Sequence, residues 1–268
     1  MQKTILVTGA TDGIGLVTVN MLAELGHGLI IHGRNPSKVE AVANEIKRTY
    51  NIDVSTIVAD LSSLTAVYKM VAELEQDFNS IDVVINNAGV YTTSQTRTTD
   101  NLDVRFAVNT VAPYILTTEL LPLLANDGRI VNLSSAAQAS VDLKALKGDK
   151  PLTDSQAYAQ SKLALTMWSR ALGLAQQQKS SAKVIVAVNP KSLLGSKMVK
   201  TAYGIAGGDL SIGADILIRA ALSDEFLLAY GAYYDNDIGA FTKPHPDALN
   251  NELVDQVIAT IESIITRN

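Results

Sequence analysis

Tyr158 and Lys162 stand four residues apart in the run Tyr158-Ala159-Gln160-Ser161-Lys162. On a helix that spacing places both side chains on one face. An ammonium beside a phenol stabilises the phenolate and lowers the tyrosine from its ordinary pKa of about 10, which suits a general acid/base working near neutrality. Ser134-Ser135, at the end of a β-branched run, adds hydroxyls able to donate to a carbonyl oxygen on which negative charge develops. Taken by itself, the Tyr158 and Lys162 pair reads more readily as an ordinary surface pair.

A second signal is Thr8-Gly9-Ala10-Thr11-Asp12-Gly13-Ile14-Gly15, directly after one apolar run and at the start of a helical pattern. Glycines there permit a tight turn, let the backbone approach a pyrophosphate and allow close packing of helix on strand, while the helix N-terminus favours negative charge. The spacing is Gly-x-x-x-Gly-x-Gly, and an ordinary tight turn would show the same glycines. A third signal, His32-Gly33-Arg34-Asn35, falls where dinucleotide folds place an acid for the ribose 2′-hydroxyl of NAD or a cation for the 2′-phosphate of NADP. Arg34 is either that cation or a solvated surface arginine.

Such residues need a scaffold, and the pattern supplies one. Short β-branched runs alternate with helical patterns and predict strands from Thr4 to Thr8, Leu29 to His32, Val54 to Val58, Val83 to Asn86, Arg129 to Leu133 and Val184 to Val188. Their near-continuous apolar character predicts strands covered on both faces, as in a parallel sheet. Asn35-Pro36 starts a helix whose Val39, Val42, Ala43 and Ile46 follow the 3.6-residue repeat. Thr153-Asp154-Ser155-Gln156 reads as a capping box opening a helix that carries Tyr158 and runs to about Gln178. Strand-helix-strand repetition of this kind predicts an α/β fold, a doubly wound parallel sheet in a three-layer αβα arrangement. No linker or repeat divides the chain, so residues 1–268 are expected to form one domain. Two stretches break the rhythm: Ser140 to Lys150, polar and lysine-bearing, reads as a surface insertion, and glycine-rich Lys191 to Gly213 as a mobile flap. Within that flap, Met198, Val199 and Tyr203 either wall a substrate site or pack the flap shut.

Composition narrows the chemistry. The 268 residues carry no cysteine, which excludes a disulfide scaffold, a thiolate metal site and a cysteine nucleophile. His27, His32 and His245 lack metal-site spacing, and no metal site is expected; no Gly-x-Ser-x-Gly elbow or P-loop occurs. A net charge of −5 with scattered Lys and Arg argues against nucleic acid as a partner. No run approaches the roughly 18 apolar residues of a membrane span. The stretch from Met1 to Val7 enters a strand pattern at once, leaving no room for a signal peptide, and a soluble cytoplasmic chain is expected.

Together these features resemble the short-chain dehydrogenase/reductase family, in the right order and over nearly the whole chain. Further matches are Asp60-Leu61 after the third strand, Asn86-Asn87-Ala88-Gly89 after the fourth, and Asn109 within Phe106-Ala107-Val108-Asn109. Ile130-Val131-Asn132-Leu133-Ser134-Ser135 matches the strand ending in the family's serine, which aligns with Ser135. Gly33-Arg34-Asn35, the long interval from Ser135 to Tyr158 and the late Gly231-Ala232-Tyr233-Tyr234 are most similar to the retinol-dehydrogenase-like branch.

The resemblance implies a Rossmann fold and an NADP(H)-dependent oxidoreductase that interconverts a ketone or aldehyde with an alcohol by hydride transfer. It implies cofactor contacts at Gly9, Thr11, Asp12, Gly13, Ile14 and Gly15, at Arg34 and Asn35, at Asp60 and Leu61 beside the adenine, at Asn87, Ala88 and Gly89, and at Pro190 and Ser192. Ser135 would hold the carbonyl oxygen and Tyr158 protonate it. Lys162 would bind the nicotinamide ribose and lower the Tyr158 pKa, and Asn109 would hold a relay water. A homodimer or homotetramer is likewise implied.

One position departs from the family pattern. Where a Pro-Gly is usual after the sixth strand, this chain has Asn189-Pro190-Lys191-Ser192. Lys191 is tolerated if its φ is negative and strained if it is positive, and its ammonium could reach the cofactor phosphates. Two alternatives stay open: a dinucleotide-binding sensor or scaffold with weak turnover, and an NAD-preferring dehydrogenase of the same fold, since Asp12 supplies no extra cation.

Overall fold

The computed structural model of the protein describes residues 2–179 and 181–266. Met1, the start of the run leading into the first strand, lies outside them. In chain order the elements are β1 (Thr4–Val7), α1 (Gly13–Glu24), β2 (Gly28–Gly33), α2 (Pro36–Tyr50), β3 (Val54–Val58), α3 (Leu64–Asp77) and β4 (Ile81–Asn86). There follow α4 (Val104–Phe106), a π turn (Ala107–Val111), α5 (Ala112–Leu120), β5 (Leu124–Leu133), α6 (Leu143–Leu146), α7 (Asp154–Gln178) and β6 (Val184–Asn189). The last third holds α8 (Lys197–Tyr203), α9 (Leu210–Leu222), β7 (Tyr233–Asp235), β8 (Ala240–Thr242) and α10 (Asn251–Ile265).

The strands form one sheet in the order β3-β2-β1-β4-β5-β6-β7-β8, parallel throughout except for the final β7–β8 pair. Successive side chains of each strand feed opposite layers. Leu6 and Ile30 join α3, α5, α7 and α10 on one face, whereas Ile5, Val7, Leu29 and Ile31 join α1, α2 and α9 on the other. This is the doubly wound Rossmann arrangement. Chain order reverses between β1 and β4, which opens a crevice beyond their carboxyl ends, the place where such sheets bind ligands.

The six predicted strands all form. β5 begins at Leu124, five residues before the predicted Arg129, with a shift of register opposite Ile81 and Val83. The antiparallel β8 has no counterpart in the alternation read from the sequence, because a three-residue strand carries too little pattern. The Ser140–Lys150 stretch is not a plain surface insertion: Asp142 caps α6, and Ala145 and Leu146 are wholly buried near α10. The segment read as a flap contains α8, which has no buried residue, and its last four positions belong to α9. Among the described residues no helix is long and apolar enough to cross a membrane, and no cluster of three or more His, Asp or Glu could hold a metal ion.

Candidate active site

The glycine turn joins β1 to α1 at the crevice. Gly9 has φ +65° and Gly13 φ +53°, and a Cβ on Gly9 would lie 2.8 Å from the Ala88 Cα. Gly15 packs helix on strand: a Cβ there would come within 2.3 Å of the Gly9 carbonyl oxygen and 2.4 Å of the Asn87 amide. Asn87 Nδ2 braces the turn by donating to the Thr8 and Gly9 carbonyls at 2.8 and 3.1 Å, and the Ala88 N–H donates to Thr8 Oγ1 at 3.1 Å. Asp12 caps α1 by accepting the Gly13 N–H at 2.9 Å.

His32 ties this turn to the next two strands. Its Nδ1 accepts the Gly9 N–H at 3.2 Å, which leaves Nε2–H to donate to the Ala59 carbonyl at 3.1 Å. Burial pushes its pKa down to about 4, so the ring is neutral near pH 7. Beyond it, Gly33 faces Thr11 so closely that a Cβ would meet the Thr11 methyl at 2.8 Å. Arg34, Asn35, Asp60 and Leu61 line this end, and Asn35 caps α2 by accepting the Lys38 N–H at 3.0 Å. Lys38 lines the cleft as well, a second cation beside Arg34. Sequence reasoning misses it because one lysine in a first helical turn carries no signal of its own.

At the other end, α7 starts from the predicted capping box, with Thr153 and Gln156 bonded reciprocally. One turn on, Tyr158 is half-buried and stands near the Ser135 side chain just past the end of β5. Ser134 is spoken for, its buried hydroxyl bonded to Thr166 Oγ1 at 2.6 Å, whereas Ser135, whose Oγ accepts the Ala137 N–H at 3.1 Å, lines the cleft beside Tyr158. Lys162 is buried, and its Nζ donates to the Leu133 carbonyl at 2.6 Å. Burial pushes the Lys162 pKa down to about 8. The Tyr158 phenol is shifted up rather than down: burial raises it, contact with Ser135 offsets part of that, and the facing Tyr203 adds to the rise. The expectation from spacing has the opposite sign, because it weighs the ammonium and not the loss of water around the phenol.

Asn109 sits in the π turn between α4 and α5, a local widening that recurs at functional sites. Its Nδ2 donates to the Val90 carbonyl at 2.9 Å and to Ser161 Oγ at 3.0 Å, and its Oδ1 accepts the Val90 N–H at 2.8 Å. Both amide hydrogens are therefore spent on bracing the Val90 segment against α7. Arg105, one turn earlier and buried, ties α4 to the start of α7 through ion pairs with Asp103 and Asp154 at 2.7 and 2.6 Å.

A cleft of about 660 Å³ joins the two ends. Every predicted site residue lines it except Gly15 and Asn109, which stand behind its wall. Pro190, Lys191 and Ser192 line it too, and Lys191 has φ +108°, the strained alternative rather than the tolerated one. Such a backbone costs on the order of 1–3 kcal/mol unless its neighbours hold it. Over the cleft lies α8, its Lys197 ion-paired with Asp12 and the Tyr203 hydroxyl donating to that of Tyr91 at 3.4 Å. Tyr91, which no sequence motif marks, also packs its ring 4.6 Å from that of Tyr158. The residues present fit a dinucleotide: side-chain-free backbone at Gly9 and Gly33, a helix N-terminus, the paired cations Arg34 and Lys38 at one end, and the Lys162 ammonium beside Tyr158 at the other.

The family model described as short chain dehydrogenase matches residues 3–203. Human polyprenol dehydrogenase is 36% identical over 177 residues, covering 63% of this chain and 54% of that protein. Human retinol dehydrogenase 13 is 34% identical over 194 residues, covering 70% and 58%. The chain thus matches little more than half the length of these two relatives. A short chain dehydrogenase from Shigella flexneri, solved in complex with NADP, superposes with a TM-score of 0.69 at 25% identity, covering 88% of this chain and 97% of that one. The ordered motifs, the sheet and these similarities converge: the chain belongs to the short-chain dehydrogenase family, in its retinol-dehydrogenase-like branch.

Proposed function

We propose that the protein is an NADP(H)-dependent oxidoreductase that interconverts a ketone or aldehyde with an alcohol. The observation that carries this reading is a single cleft with Ser135, Tyr158 and Lys162 at one end and the glycine turn, Arg34 and Lys38 at the other. When bound, the dinucleotide supplies or accepts the hydride. Ser135 donates its hydroxyl hydrogen to the substrate oxygen, where charge collects. Tyr158, beside it, delivers its proton to that oxygen in reduction and takes it back in oxidation. Lys162 spends one ammonium hydrogen on Leu133 and keeps two to hold the cofactor ribose beside Tyr158. Asn109 acts as a brace, since a relay water there finds no free side-chain donor. Pro190 and Ser192 line the nicotinamide end, and Tyr91, Met198, Val199 and Tyr203 wall the substrate side beneath the 191–209 flap.

The choice of NADP over NAD rests on Arg34 and Lys38 together with the lack of an acid at the end of β2. A cytoplasmic homodimer or homotetramer completes the reading on the family resemblance alone, and light scattering after size exclusion measures the number of subunits. The test of function is a panel of ketones and aldehydes followed by NADPH absorbance. Consumption of NADPH with alcohol formation is the expected result. Tight NADPH binding with no turnover on any member would favour a sensor or scaffold instead, for which the strained Lys191 is the supporting observation.

A further inference from the structure

The end of β7 and the loop after it fold Asp235-Asn236-Asp237 back onto the end of β6 and the turn that follows it. One carboxylate does most of the holding. Asp237 Oδ1 accepts the Ser192 N–H at 3.0 Å, while Oδ2 accepts the Ser192 hydroxyl at 2.6 Å and Asn189 Nδ2 at 2.9 Å. Around it, Asp235 accepts from the same Asn189 nitrogen at 2.8 Å, and Asn236 Nδ2 donates to the Pro190 carbonyl at 3.1 Å. The held segment is the strained one: Lys191 has φ +108° and Leu193 φ +55°, with Ser192 between them. Non-glycine residues keep such angles only where the surroundings over-determine them. A glycine at position 191 would adopt the angle freely; a lysine needs a clamp, and Asp237 is the group placed to act as one.

We infer that Asp237 is a positioning residue for cofactor binding: its carboxylate clamps the Pro190–Ser192 backbone in the shape that walls the cleft beside Tyr158 and Lys162. The inference rests on the dinucleotide reading of that cleft. It assigns a role to a residue that lies 45 positions from its main partner, Ser192, and outside the lining of the cleft. Asp237 is exposed, so its replacement leaves the core untouched.

The experiment compares Asp237→Ala in two backgrounds, the natural chain and Lys191→Gly. NADPH affinity is measured directly by the fluorescence of the bound nucleotide, and hydrogen exchange of the Ser192 amide is followed without ligand. In the natural background Asp237→Ala is expected to weaken NADPH binding about tenfold. It should also speed exchange at Ser192 and shift Tm by no more than about 2 °C. In the Lys191→Gly background the same change should weaken binding less than about threefold, because glycine holds the turn without the clamp. Equal losses in both backgrounds, or unchanged affinity and exchange in Asp237→Ala, would overturn the inference. A natural chain that bound neither NADPH nor NADH would overturn the dinucleotide reading itself, and this role with it.

Discussion

Lys197, the first residue of α8, pairs its ammonium with Asp12, the N-cap of α1, and so lays the flap helix across the glycine turn. Asp12 has two tasks, capping its own helix through one oxygen and holding the flap through the other. Burial raises its carboxyl, but Lys197, the Gly13 N–H and the charge of Lys38 outweigh that and hold it below the ordinary aspartate value. Both partners are exposed, and exposed pairs contribute roughly 0–1 kcal/mol to folding. Lys197→Ala should therefore leave Tm almost unchanged while NADPH dissociates several-fold faster, as stopped-flow dilution of the bound nucleotide would show. An unchanged dissociation rate would mean that the pair is no latch.

Cofactor choice is predicted to sit at the mouth of α2. Arg34 and Lys38 both line that end of the cleft. Replacing both with alanine should weaken NADPH binding by tenfold or more, about 1.4 kcal/mol or above, and alter NADH binding by less than about twofold. Parallel titrations with the two nucleotides measure the ratio. Equal losses for both would place the 2′-phosphate elsewhere.

His32 gives the fold an acid-sensitive joint. Its pKa falls to about 4 in the folded chain from an ordinary 6.5, so between those values the unfolded chain binds a proton that the folded one refuses. Stability is then full above about pH 6.5 and falls as the pH drops toward 4, by up to about 3 kcal/mol from this group. His27, pushed down mainly by burial, adds in the same direction. Denaturant melts across that window should show a shallower slope for His32→Gln than for the natural chain, and an identical slope would contradict the assignment.

How far the sequence can be read follows from the range of each interaction. The capping box at Thr153, the N-cap at Asn35 and the glycine turn are complete within a few residues, and all three form as expected. Lys38, Lys197, Tyr91 and Asp237 carry no local pattern. Folding brings Lys197 to Asp12 over 185 residues and Tyr203 to Tyr91 over 112, distances at which spacing says nothing. The strain at Lys191 is legible only as a question, since a lysine replaces the usual glycine, while its φ is set by the distant Asp237 loop. The rise in the Tyr158 pKa is hidden for a related reason: Tyr203 and the covering flap come from other parts of the chain.

Gly15 tests the packing of the turn. A Cβ there would stand 2.3 Å from a backbone oxygen that cannot move without carrying Gly9 with it. Gly15→Ala should destabilise the protein by at least about 2 kcal/mol and lower nucleotide affinity together with stability. Calorimetry alongside titration would show both, and a variant as stable as the natural chain would mean the helix can slide on the strand.

The central claim is that the Tyr158 hydroxyl carries the transferred proton. Tyr158→Phe keeps the ring against Tyr91 and removes only that hydroxyl. The decisive measurement is the turnover rate for carbonyl reduction in this variant beside its directly measured NADPH affinity. Affinity should stay within about twofold of the natural chain while turnover falls by about a hundredfold or more, roughly the contribution of a positioned general acid. Near-natural turnover in Tyr158→Phe would contradict the claim.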